Sequence, residues 1–331
     1  MRMNPQPLVS IVTPSLNQGP YIEQTIRSVL EQDYPHIEYI VVDGGSTDGT
    51  LDILEKYNGR LFYSSEPDAG QADAINKGWR RSKGDILAYL NSDDTYCPGA
   101  VRKAVEGFRL HPEAGIVYGD CYGTDPEGRI IRRLRLREVD LPDLLCFTIL
   151  HQPAVFIRRA VTDRVGLLDT RLEGLMDHDL WIRSAFRFPF HHVPEFLACG
   201  REHPGSKNAN LGVRFGQEAI AILDRTFSDP LMSQRVHALK NKAYAGSYLM
   251  AAFWGCLSGE RQRSKGFLLN ALKLNPRLLF HQLTLPLVLE CFLRIPVIPL
   301  LRGVKQRWIH RWEIFTAFGK NLMGGNGFVK R

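Results

Sequence analysis

DILAYLNSDD, residues 85–94, decides how the first third of this chain is read. Ile86-Leu87-Ala88-Tyr89-Leu90 is apolar without alternation, which suits a strand buried on both faces. The run then stops at Asn91, Ser92, Asp93 and Asp94, four oxygen-bearing side chains ahead of a Pro98-Gly99 turn. Three similar runs precede it: LVSIVTPS (8–15), IEYIVVDGG (37–45) and RLFYSSEP (60–67). Helical spacing fills the gaps between them. Residues 20–32 place Tyr21, Ile22, Thr25, Ile26, Val29 and Leu30 on one face, Ser46–Tyr57 opens like a capped helix, and 70–81 buries Ala72, Ala74, Ile75 and Trp79. Pro98 introduces a further helix, Val101–Leu110.

Strands of this kind joined by helices predict an α/β fold, a mostly parallel sheet flanked by helices. Ligands of such sheets bind outside the carboxyl ends of the strands. The polar clusters fall there: Pro14, Ser15 and Asn17 after strand one, Asp43 after strand two, Glu66-Pro67-Asp68 after strand three, and Asn91–Asp94 after strand four. Four such clusters on one edge argue for one site.

After residue 115 the pattern changes. GIVYGDCYGTDPEGRIIRRLRL reads as a hairpin turning at Asp125–Gly128. HQPAVFIRRAV (151–161) is a strand entering a helix, GLMDHDLWIRSAF (174–186) is amphipathic, and HHVPEFLACGREHPGSKN is a strand followed by a polar loop. Residues 1–228 are read as one domain and 229–331 as a basic helical C-terminal region, with helices over 235–254 and 260–275.

Net charge is +7 and uneven. Residues 230–331 hold sixteen Lys/Arg against three acids, Glu260, Glu290 and Glu313, a balance of +13 that leaves −6 on residues 1–229. The basic part suits an anionic surface. It lacks the aromatic-basic interleaving of a recognisable nucleic-acid module, so no nucleic-acid partner is expected. LTLPLVLECFLRIPVIPLL (283–301) is interrupted by Glu290, Arg294 and three prolines, short of a spanning helix. It reads either as an element lying in a membrane interface, flanked by Arg302, Lys305, Arg307, Trp308, Arg311 and Trp312, or as a helical subdomain. Six scattered cysteines without CxxC point to reduced thiols, and no signal peptide precedes the first strand; both predict a cytoplasmic protein, peripheral at the inner face of the membrane if the tail binds there.

The acceptor-rich strand ends suit hard divalent cations. Mg²⁺ and Mn²⁺ take carboxylate and carbonyl oxygens and complete their coordination with water and phosphate. The rival reading of Asn91–Asp94 is a plain turn. A glycine-rich basic signature for nucleotidyl transfer is missing from PSLNQGPY, and GxGxxG for dinucleotide binding is absent after strand one.

Four motifs in order, VSIVTPSLNQGPYIEQTIRSVLEQDYPHIEYIVVDGGSTDGT (9–50), SEPDAGQADAINKG (65–78), YLNSDD (89–94) and LMDHDLWIR (175–183), resemble the family 2 glycosyltransferases of GT-A fold, over about residues 8–205. The resemblance implies an inverting transferase that moves a sugar from a nucleoside-diphosphate sugar, UDP-linked, to a carbohydrate or lipid-linked acceptor hydroxyl in cell-surface polysaccharide or glycolipid synthesis. It places Thr13 and Pro14 against the nucleotide base and Asp43 as the carboxylate that accepts the base's imino N–H. Asp73 falls where the family reads the ribose or base edge. Asn17, Asp68, Asn91 and Ser92 line the sugar nucleotide. Asp93 matches the metal-ligating position of the DxD motif, and Asn91 replaces its first Asp. Asp177 takes the place of the general base, with Asp179 competing because Met176 replaces the usual Glu beside it. His203 falls where a histidine joins the metal or diphosphate, with Arg201 and Lys207 placed to screen phosphate charge. For Asp43 a helix cap, for Asp73 an exposed helix acid, for Asp177 and Asp179 dipole-complementing acids and for His203 an ordinary loop are the rival roles. The substitutions at 91 and 176 also admit a second class of function, a degenerate relative acting as a carbohydrate-binding scaffold.

Overall fold

β1 (Val9–Ser15), α1 (Ile22–Leu30), β2 (Ile37–Asp43), α2 (Thr50–Lys56), β3 (Phe62–Ser65), α3 (Gln71–Arg81) and β4 (Ile86–Tyr89) follow one another in the alternation the sequence predicts. This computed structural model describes residues 6–203, 205, 213–229, 234–281 and 283–293. β3, β2, β1 and β4 lie side by side and parallel. Their register sets Ser15 beside Asp43 and Asp43 beside Ser65, so three strand ends form one row. Every residue of β1 is buried, as a central strand covered on both faces requires. Pro14 is tolerated there because β4 pairs with β1 only as far as Val12, beyond which no ladder needs its missing N–H.

The sheet continues through β5 (Thr95–Tyr96), β6 (Ile116–Thr124), β7 (Ile130–Leu134), β8 (Val155–Arg158) and β9 (Phe190–Arg201), interleaved with α4 (Ala100–Leu110), α5 (Leu141–Leu145), α6 (Arg159–Val165) and α7 (Met176–Ala185). The strand order is β3-β2-β1-β4-β8-β6-β9-β5, with β7 paired to β6. β8 runs antiparallel between β4 and β6, and β5 antiparallel to β9. The expected hairpin is β6–β7: Gly128, at φ 84°, donates its N–H to Asp125 O at 2.9 Å to close the turn. The register of β9 slips against β6 around Asp120, past Pro194, which a regular ladder would not accept.

One core face joins β1, β2, β4, β6 and β9 to α1, α2 and α4 through Ile11, Ile26, Val41, Leu54, Ala88, Phe108 and Phe156. α3 covers the opposite face. Gly78 permits its approach, since a Cβ there would stand 2.5 Å from Val12 Cγ1. Val12 is fully buried and stiff at χ1. Gly78→Val should therefore cost on the order of 3 kcal/mol of stability by overpacking, measured by urea unfolding.

The chain divides into two compact units, one of residues 1–140 with 150–204, the other of 141–149 with 205–331. In the second, α8 (Val213–Phe227), α9 (Gln234–His237), α10 (Lys240–Leu257), α11 (Arg261–Leu274) and α12 (Thr284–Phe292) are helical. α8 lies in the part of the sequence read with the first domain, yet it packs on α10: a Cβ on Gly216 would stand 2.1 Å from Ala251 Cβ. Leu249, Leu268, Leu278 and Leu287 centre this unit's core. Among the described residues no helix is long and apolar enough to cross a membrane. Lys207 and the tail residues from Arg302 to Trp312 lie outside the described residues.

Candidate functional site

Loops rather than strands shape the edge where β1, β2 and β3 end. The 16–19 segment is stapled to the 46–50 segment: Asn17 N–H donates to Ser46 Oγ (2.7 Å), Thr47 N–H to Asn17 Oδ1 (2.9 Å), Gln18 N–H to Thr50 Oγ1 (3.0 Å) and Gly19 N–H to Asp48 Oδ2 (2.9 Å). Asn17 takes φ 53°, a left-handed conformation that asparagine accepts more readily than most residues.

Asp43 lies beneath these loops. Its Oδ2 accepts from Gly45 N–H (3.0 Å), Ser46 N–H (2.8 Å) and Ser65 Oγ (2.7 Å), and its Oδ1 from Ser46 Oγ (2.5 Å). The residue is fully buried, so a base reaches its carboxylate only if the 44–46 loop moves. Thr13, also fully buried, shares a hydrogen bond with Tyr39 OH at 3.1 Å. Pro14 and Ser92 are buried too. The carboxylate on the outer side is Asp68. It fills the space a side chain at 44 would need, its Oδ2 2.9 Å from where a Gly44 Cβ would be, and its Oδ1 accepts from Gly70 N–H at 2.7 Å. Leu16, 54% exposed, lies against the same glycine. Asp73 is held by Ala69 N–H (3.2 Å) and Lys77 (3.4 Å), and these, the Ala69 bond foremost, keep its carboxyl below the usual carboxylate range.

Past β4 the chain makes the Asn91–Asp94 turn before β5. Asn91 is the hub of an amide network there. Its Oδ1 accepts from Gln71 Nε2 at 2.6 Å, and its Nδ2 donates to Asp94 Oδ2 (3.1 Å) and Gln152 Oε1 (3.4 Å). Gln152 in turn donates to Tyr89 O at 2.7 Å, tying the end of β4. Asp94 is buried, accepting from Arg201 N–H at 2.9 Å; burial foremost, then the neighbouring Asp93, pushes its carboxyl well above the usual range.

Asp93 and His203 meet: Oδ2 to Nε2 is 3.0 Å, and their side chains are 19% and 8% exposed. Tyr21 packs on the His203 ring with centroids 4.8 Å apart. Arg201, expected to screen phosphate, is instead a brace. Its guanidinium donates to Asp93 O (2.9 Å), Pro126 O (2.5 Å) and Gln24 Oε1 (2.7 Å), and it lies over the Tyr21 ring. The sequence signal for this was missing because its partners, two backbone carbonyls and the Gln24 side-chain amide, come from three distant segments.

Asp177 stands in the first turn of α7, half-buried, its Oδ1 accepting from His178 N–H at 2.7 Å. The buried Tyr89 phenol is raised well above its ordinary pKa, by burial first and then by the charges of Asp177 and Asp94. Asp179 looks elsewhere. It is 1% exposed and accepts from Arg183 Nε at 2.8 Å, while Arg183 also donates to the carbonyls of Val165 and Leu167. Asn76 likewise has a structural role, bonding both the N–H and the C=O of Leu168.

Among the described residues no group of three or more His, Cys, Asp and Glu side chains is set to hold a metal ion. The carboxylate and imidazole of Asp93 and His203 are a two-donor set of the chemistry Mn²⁺ accepts, to be completed by water and phosphate oxygens.

Residues 10–165 match the family model described as glycosyl transferase family 2. A Bacillus subtilis glycosyltransferase assigned provisionally to teichuronic acid biosynthesis, TuaG, is 44% identical over 108 residues, 31% of this chain and 42% of that protein. The chain spans between a fifth and about two thirds of the length of the curated relatives it matches, about two fifths for TuaG. Among solved structures, S. aureus TarS in complex with UDP-GlcNAc superposes with TM-score 0.63 at 18% identity, over 81% of each chain. The mannosyltransferase PcManGT of Pyrobaculum calidifontis, in complex with GDP-Man and Mn²⁺, gives 0.58 at 18% identity, over 96% of this chain and 88% of its own. Both show the GT-A fold, the fold that the resemblance of the four motifs implies.

Proposed function

From the glycosyl transferase family 2 domain that residues 10–165 carry, we propose that this chain transfers a sugar from a nucleoside-diphosphate sugar, with UDP as nucleotide, to a carbohydrate or lipid-linked acceptor hydroxyl. The observation that supports the reading is that Asp68 follows β3 and Asp93, 3.0 Å from His203, follows β4, both at the carboxyl edge of the parallel run β3-β2-β1-β4. TuaG's assignment supports a product in cell-surface polysaccharide, and the complexes of TarS and PcManGT support a nucleotide sugar as donor.

Each residue has a task in this reaction. Asp68, outside the buried Asp43, accepts the imino N–H of the base, and exposed Leu16 packs on its ring. Asp43 acts through the loop it holds in shape, not by contact. Asn17 fixes the loop across from it, and Asp73, held by Ala69 and Lys77, borders the ribose side. Asp93 and His203 hold a divalent cation, Mn²⁺ or Mg²⁺, which when bound neutralises charge on the diphosphate leaving group. Arg201 and Tyr21 keep those two donors in place. Asp177 takes the acceptor proton on the face opposite the leaving group, so the sugar is transferred with inversion.

A thermal-shift panel of UDP-, GDP- and dTDP-sugars with and without Mn²⁺ tests the donor. UDP-sugar with Mn²⁺ should raise the melting temperature most. Asp68→Ala should weaken that donor on the order of 10-fold, the loss of one charged hydrogen bond, without lowering the melting temperature of the free protein. Asp43→Ala should instead lower that temperature. A panel in which no sugar nucleotide shifts the protein, with transfer also undetected, would leave the carbohydrate-binding scaffold as the better account.

A further inference from the structure

We propose that the segment 279–293 of the second unit is a docking surface for an anionic lipid bilayer. α12 is amphipathic with its polarity inverted. Its single charge, Glu290, is 1% exposed and faces inward, where Oε1 accepts from Arg261 Nη2 at 3.1 Å and Nε at 3.3 Å. Thr284 and Leu287 are buried beside it. Outward stand Leu285 (64% exposed), Phe292 (41%) and Leu293 (61%), at i, i+7 and i+8, hence on one stripe. The turn leading into α12 adds Leu279 (58%) and Phe280 (94%). It is a built turn, because Leu278 is buried and its carbonyl accepts from His281 N–H at 2.9 Å and Thr284 Oγ1 at 2.5 Å. Phe280 is thus held outward by the backbone around it.

Scattered apolar side chains on a surface need no explanation, but five within fifteen residues of one segment do. Charge decides among occupants. Lys265 Nζ lies 4.6 Å from the Phe292 ring centroid, and Lys273 and Arg277 are exposed on the elements just before the turn. Residues 230–331 as a whole carry +13. A second copy would bring the same positive field against itself, which opposes self-association through this face. An acidic headgroup layer satisfies both features: apolar side chains enter the acyl boundary while lysine and arginine stay among the phosphates. The inference is independent of the transfer reaction.

The test uses the full chain and vesicles of phosphatidylcholine with or without phosphatidylglycerol, separated by flotation. The parent should float with the mixed vesicles at low salt, and far less with phosphatidylcholine alone or in 1 M NaCl. The double variant Phe280→Asp/Leu285→Asp should bind at least ~10-fold more weakly, with an unchanged melting temperature because both sites are exposed. Phe280→Trp should keep binding and add a blue-shifted emission component on mixed vesicles. Three results overturn the proposal: no flotation of the parent, equal flotation of the double variant, or a parent that is dimeric and becomes monomeric in the double variant.

Discussion

Replacing Asp177 with asparagine should leave donor binding and melting temperature unchanged and lower kcat on the order of 10² to 10⁴-fold, the range spanned by loss of a general base. Asp179→Asn should do the opposite. The two carboxylates are two residues apart in one helical turn, and only their surroundings separate them. Asp177 is half-buried, and its Oδ1 accepts from His178 N–H at 2.7 Å. A base must be ionised and reachable by the acceptor, and of the two it is Asp177 that keeps some exposure. Asp179's side chain is 2% exposed and bonded to Arg183, which also holds the carbonyls of residues 165 and 167. Neutralising it leaves a guanidinium without its counter-charge, at a cost on the order of 2–3 kcal/mol in unfolding free energy. Urea unfolding and transfer kinetics on the two variants decide the matter. A silent Asp177→Asn beside an inactive but stable Asp179→Asn would move the base to Asp179.

That contrast marks where sequence reading stops. β1, β2 and β4 were legible because a strand buried within the sheet is an apolar run whose end shows as an abrupt change to acceptors, whereas β3, at the sheet edge, is a half-exposed Phe62-Tyr63-Ser64-Ser65. The β6–β7 turn was legible because Asp125-Pro126-Glu127-Gly128 is local chemistry. The resemblance brought Asp93 and His203 to one place, and the fold sets them 3.0 Å apart. Burial and competition for hydrogen bonds were not legible. Nothing in VVDGGSTDG says that four donors from residues 45, 46 and 65 close over Asp43, because Ser65 arrives on another strand. Arg201 reads as a free cation until the turn at Pro126, the helix bearing Gln24 and the Asp93 carbonyl converge on it. The antiparallel β8 between β4 and β6 is equally silent, because strand order is set by packing and not by the pattern within the strand.

Asn91 gives the sharpest test of that lesson. By motif alone, Asn91→Asp restores the first carboxylate of a DxD pattern and should improve a metal-dependent enzyme. The geometry predicts a less stable and less active protein. Asn91 Nδ2 is a donor, and both groups that receive it, Asp94 Oδ2 at 3.1 Å and Gln152 Oε1 at 3.4 Å, are acceptors. An aspartate would turn a carboxylate oxygen onto each of them. Gln152 could rotate its amide to donate, but its Nε2 already donates to Tyr89 O at 2.7 Å, and the flip would forfeit that tie on the end of β4. Asp94, whose carboxyl pKa is raised by burial, can donate back only by holding a proton on Oδ2, since its other oxygen accepts from Arg201 N–H and the residue is only 6% exposed. Two carboxyls facing each other in a largely dehydrated turn, where one of them must hold a proton, should cost on the order of 2–3 kcal/mol, against about 1–2 for Asn91→Ala, which deletes the hydrogen bonds without adding a second carboxyl. The expected order of stability in urea is therefore parent, then Asn91→Ala, then Asn91→Asp. Transfer activity should follow the same order, because the displaced turn carries Asp93. If Asn91→Asp is instead as stable as the parent and tightens the response to Mn²⁺, the amide network is dispensable and the motif is the better guide at this position.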